Sequence, residues 1–128
     1  MDANARRAVA ASVLSLLGIV PHAIDDFVHG GPDRFGVPPV AFMWSFGVFA
    51  AGVAAAAAWA ATGSRKGLRM VFAVGIVWAL TAAGDHWQAF LSATFRESFA
   101  SRLWVWLIVA FQGLAAVFAW RGLRTRPG

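Results

Sequence analysis

The chain contains no cysteine. That excludes disulfides, thiolate metal sites and thiol nucleophiles. Charge is scarce as well. Asp, Glu, Lys and Arg make up 13% of the 128 residues, where an ordinary soluble domain has about 25%. A surface so poor in charge is not built to lie mainly in water. Common catalytic signatures are missing too: there is no GxSxG, no HExxH, no phosphate-binding glycine loop and no CxxC.

What fills the chain is apolar, at 59% of residues. Val40 to Ala61 runs 22 residues without a charge, and Leu103 to Trp120 runs 18. Met70 to Gly84 gives 15 more and continues through "DHWQAFLSATF". Ala8 to Ile24 gives 17, with Asp25 as the first charge. Apolar runs of about 18 residues or more read as membrane-spanning helices. The expected fold is all-α: one integral membrane four-helix bundle, with helices about 7–28, 39–61, 68–92 and 102–121. Arg6 and Arg7 before an apolar run also fit a signal peptide. However, Pro21 and His22 stand where a small-x-small cleavage site is needed, so the run reads as the first span.

The net charge is +5, but its placement speaks for topology and not for nucleic acid. Eight of the eleven basic residues group together in the tails and the middle loop: Arg6, Arg7, Arg65, Lys66, Arg69, Arg121, Arg124 and Arg126. Arg34, Arg96 and Arg102 fall on the other side. Cytoplasmic loops carry the excess of Lys and Arg, so both termini are expected in the cytoplasm of a multi-pass cell-membrane protein. Asp25, Asp26, Asp33, Asp85 and Glu97 then belong to the outer half, and only Asp2 to the inner. Trp44, Trp87, Trp104 and Trp106 read as outer interface anchors, Trp59 and Trp120 as inner ones. Trp78 falls nearer mid-membrane and reads as packing. Gly47, Ala51 and Ala55, then Gly52, Ala56 and Ala60, recur at spacing four. Small residues at that spacing let helices approach closely, either within the chain or in a homo-oligomer.

Two polar clusters interrupt this pattern. "PHAIDDFVHG" ends the first apolar run with His22, Asp25, Asp26 and His29. At about 100° per residue these four share a sector of roughly 100° on one helix face. In "TAAGDHWQAFLS", Thr81, Asp85, Gln88 and Ser92 make a polar stripe at helical spacing, with His86 about 100° away from it. His22 lies 15 residues beyond Arg7, and Asp85 lies 16 beyond Arg69. Both clusters therefore rise about 22–24 Å from the inner side, just inside the outer edge of a hydrocarbon core about 30 Å thick. If these helices are neighbours, the groups converge, and Asp85 is expected inside the bundle against His22 or Asp26. The two halves echo each other, at an identity too low to establish a duplication. Pro21 removes a backbone hydrogen bond and favours a kink, although neighbouring helices can compensate.

Three explanations stay open. The charges near the helix ends can simply reach outer-leaflet water, where they cost little. They can instead handle metal or protons. His22, Asp26, His29, Asp85 and His86 offer imidazole and carboxylate ligands suited to zinc, iron or manganese. His22 with His86 also permits a bis-histidine haem. Alternatively, His22, Asp25, Asp85 and His86 can act as acid and base on a lipid-like or other hydrophobic small molecule. That last layout has only the architecture of four-helix sterol isomerases, without a residue-by-residue match. Thr81, Gln88 and Gln112 are supporting candidates, Gln112 equally suited to one interhelical hydrogen bond.

Overall fold

The computed structural model describes residues 1–92, 95–97 and 99–125. Among them there is only helix and connecting turn. Helix α1 spans Ala3–Val28, α2 Gly31–Phe35, α3 Pro39–Ala61, α4 Arg65–Asp85, α5 Gln88–Leu91 and α6 Phe99–Thr125, with a 3-10 turn at Phe95–Glu97. Four of these (α1, α3, α4 and α6) are long and apolar enough to cross a membrane. Arg126 and the side chain of Glu97, both part of the charge pattern, lie outside the described residues and side chains.

Local chemistry explains the helix boundaries. The Asp2 carboxylate accepts from the Ala5 amide at 2.8 Å and caps α1. The Ser64 hydroxyl accepts from the Gly67 amide and caps α4. Pro38 and Pro39 open α3, where a missing N–H costs nothing. Pro21 lies inside α1, and the helix continues through it to Val28.

The long helices run alternately up and down, so the start of α1, the α3–α4 turn and the end of α6 share one end. Arg65 there donates to the Leu123 carbonyl at 3.3 Å. The core is layered along the bundle. An alanine-rich layer around Ala5, Ala8, Ala60, Leu68 and Ala119 sits at the terminal end. A middle layer holds Ile19, Val53, Trp78 and Ile108. Near the opposite end, Ala89, Phe95 and Val105 pack together.

Glycine decides where helices touch. A Cβ on Gly75 would stand 2.8 Å from the Gln112 carbonyl oxygen. One on Gly67 would stand 2.5 Å from the Ala60 nitrogen. The close approaches thus use glycines of α4, together with Gly18 of α1 against α6. The row Gly47, Ala51 and Ala55 on α3 lies on the outside of the chain, while Ala56 and Ala60 are buried. Gln112 donates to the Ser15 hydroxyl at 2.7 Å, the interhelical bond that its position suggested.

The third long helix differs from expectation. It ends at Asp85 instead of continuing to 92. His86 leaves the helical region at φ −122°, ψ 32°. The chain then folds into α5, and the buried Ala89 carbonyl accepts from Arg102 Nε and Trp106 Nε1, both at 3.2 Å. Those bonds and the Ala89–Phe95–Val105 contact hold the segment over α6. The polar stripe Thr81–Asp85–Gln88–Ser92 is therefore broken after its second member.

Candidate functional site

The buried polar group forms where α1, the α4 end and the turn before α6 meet. His22 and Asp26 stand one helical turn apart on the inner face of α1 and are each 2% exposed. The break at His86 swings its imidazole inward, to 4% exposure. The two Nε2 atoms lie 3.1 Å apart. Asp26 Oδ2 lies 3.6 Å from His22 Nε2 and 3.5 Å from His86 Nε2. Three potential ligand atoms thus form a nearly equilateral triangle. Ligands about 2.0–2.1 Å from a tetrahedral ion stand about 3.3–3.4 Å apart, so the triangle matches one face of such a shell. The fourth position is contributed by no residue of the triad.

The second oxygen of Asp26 is held by Arg96. The same guanidinium donates to Asp25 Oδ2 at 2.8 Å. Asp25 Oδ1 accepts from the Ser101 hydroxyl, also at 2.8 Å. Arg34, carried by α2, approaches Asp26 Oδ2 at 3.7 Å. Gly31 makes that turn possible, since a Cβ there would meet the Phe42 ring at 2.5 Å and the Asp26 carbonyl at 2.7 Å. Two carboxylates therefore face two guanidiniums. Arg96 adopts φ +50° to reach them. That conformation costs a non-glycine residue about 1–3 kcal/mol and persists where surrounding contacts fix it.

The sequence-derived set divides. His22, Asp26 and His86 come together, and Asp25 joins them through Arg96. His29 stays at the rim: its side chain is 38% exposed, and Nδ1 lies 2.8 Å from the Asp25 carbonyl one turn back. Asp85 lies exposed outside the group, with no ion pair to α1, contrary to the expected pairing. The physical reason is the helix end. Adjacent residues at the close of α4 point different ways, so bringing His86 in leaves Asp85 out. Thr81 donates to the Val77 carbonyl of its own helix, and Gln88 is exposed. The imidazoles meet edge to face with centroids 4.6 Å apart, which leaves no room for a haem between them.

Arg96, Arg34 and Ser101 escaped the sequence reading. Arg96 and Arg34 had one signal: they are cations on the acid-rich side, facing two adjacent aspartates that need counter-charge. Ser101 had none. Comparisons with family models, with curated proteins and with solved structures found no match to this chain.

Proposed function

We propose that the chain is a multi-pass membrane protein whose buried His22–Asp26–His86 triad binds a divalent transition metal, with the termini in the cytoplasm and the triad towards the opposite face. The observation that carries this reading is the triangle of two imidazole nitrogens and one carboxylate oxygen, with edges of 3.1, 3.5 and 3.6 Å. Two histidines and one carboxylate suit zinc, and equally iron or manganese, with an open position left for water or substrate. Arg96 on the other Asp26 oxygen would fix the ligating carboxylate, as outer-shell partners do. The arrangement serves metal uptake or transfer, and metal-assisted chemistry on a hydrophobic molecule, with the same three ligands.

A second reading is proton handling. Nitrogens 3.1 Å apart share a proton when one imidazole donates and the other accepts. Arg96 and Arg34 already supply counter-charge to the aspartates, so this reading needs no metal. Elemental analysis and metal-edge X-ray absorption on the purified, zinc-loaded protein separate the two. One tightly held metal per chain with a two-imidazole, one-carboxylate shell supports the metal reading. Absence of stoichiometric metal after loading refutes it and leaves the shared proton.

A further inference from the structure

Asp85 is a carboxylate in search of a partner. Among the described residues it has no hydrogen bond and no ion pair. It also ends α4, where the negative end of the helix dipole disfavours an anion. It lines a lateral groove of about 220 Å³ between α3 and α4, walled by Phe46, Phe49, Val77 and Trp78. The Phe49 and Trp78 rings meet edge to face with centroids 5.4 Å apart, and Phe46 tilts against Trp78 at 6.3 Å.

The oxygens of this groove, on Asp85, Ser45 and Thr81, are presented as acceptors. Ser45 donates its hydroxyl hydrogen to the Phe42 carbonyl, and Thr81 donates to the Val77 carbonyl, both at 2.7 Å. Each hydroxyl then presents lone pairs only. The Trp78 indole N–H, the donor among the lining side chains, is buried and has no hydrogen-bond partner among the described residues. No Lys or Arg lines the groove. Aromatic faces attract cations, most strongly quaternary ammonium groups. A carboxylate beside three aromatic rings, with no cationic side chain among the lining residues, favours a positively charged guest.

We infer that the α3–α4 groove binds the ammonium head of an organic cation, with Asp85 as counter-ion and Phe46, Phe49 and Trp78 as the aromatic wall. The cavity is smaller than the roughly 300–1,000 Å³ of sites that enclose a whole drug-sized ligand. It therefore takes a head group, and any apolar remainder of the guest lies along the helices. Phe46 stands between this groove and the triad, edge-on to His22 at 6.3 Å. The two sites are separate, and the inference does not depend on metal binding.

The test is equilibrium binding of radiolabelled tetraethylammonium to the purified chain in dodecyl maltoside, an uncharged detergent. Saturable binding is expected, unchanged after treatment with a chelator. Asp85→Asn should weaken it at least 10-fold, Asp85→Glu should retain most of it, and Phe49→Leu should weaken it several-fold. Melting curves confirm that each variant is folded. Competition by phosphatidylcholine, but not by phosphatidylglycerol, would assign the cation to lipid head groups. Competition by neither would assign it to a solute. Both results sustain the ammonium site. No saturable binding by the parent, or equal binding by folded Asp85→Asn, would overturn it.

Discussion

The distal ends of α1 and α4 are built from the same residue types and solve the same problem in opposite ways. Each carries aspartate and histidine after a long apolar run. On α1 the helix continues past them, so His22 and Asp26 repeat at one turn and share a buried face. Asp25, next to that face, is drawn in by Arg96 and Ser101. On α4 the helix stops between Asp85 and His86. The histidine turns inward to complete the triad, and the aspartate is left in a groove without a counter-charge. At this end of the bundle, the two carboxylates held inward are the ones that Arg96 reaches. Arg96 is paired with Asp25 and Asp26, and Asp85 has no ion pair among the described residues.

The sharpest way to break this contrast is to remove Arg96. Breaking a buried ion pair by deleting one partner costs about 3–5 kcal/mol, and Arg96 answers two carboxylates. Arg96→Gln should therefore destabilise the protein by about 3 kcal/mol or more. Added zinc should recover part of that loss, because the ion replaces the missing positive charge. Thermal melting with and without zinc checks both statements. Equal destabilisation in the presence of zinc would separate Arg96 from the triad.

The next effect is on the metal itself. His22→Ala and His86→Ala should each weaken zinc binding by at least about 100-fold, beyond the 10–100-fold typical of outer-shell partners. His29→Ala, at the rim, should leave it nearly unchanged. Metal displaces protons from imidazole and carboxylate, so affinity should fall as the medium is acidified and recover on return to neutral pH. Isothermal titration across pH with these three variants gives the answer.

A smaller effect is expected from the mid-bundle pair. Interhelical hydrogen bonds inside membrane bundles average about 0.6 kcal/mol. Ser15→Ala should therefore cost well under the Arg96 variant in a melting experiment, with zinc affinity unaltered. Smallest of all, Asp85→Leu should change stability by no more than about 0.5 kcal/mol, as for an exposed position without partners. A large loss there would show that Asp85 is paired after all.

Most of the architecture was legible in the sequence. The spans expected at 7–28 and 39–61 meet α1 at Ala3–Val28 and α3 at Pro39–Ala61. Uninterrupted apolar length fixes such helices, and little else competes. The last span, expected at 102–121, is a few residues longer at each end in α6. The third span misled for a definite reason. Polar residues at Thr81, Asp85, Gln88 and Ser92 keep helical spacing, and no proline marks a stop. The break at His86 is held by tertiary contacts, namely the Ala89 carbonyl on Arg102 and Trp106, and local pattern does not report those. The same holds for the site. His22, Asp26 and His86 stood out because ionisable groups are rare in this chain. Arg96 did not, because its role depends on a left-handed backbone at a non-glycine residue, which the sequence does not announce.

If the triad binds metal as proposed, Asp85 and His86, neighbours in the chain, serve different sites. Zinc content after loading and desalting, measured side by side in the parent, His86→Ala and Asp85→Asn, separates the two residues. One zinc per chain is expected in the parent and in Asp85→Asn, and near none in His86→Ala. Loss of zinc from Asp85→Asn, or its retention in His86→Ala, would contradict this division.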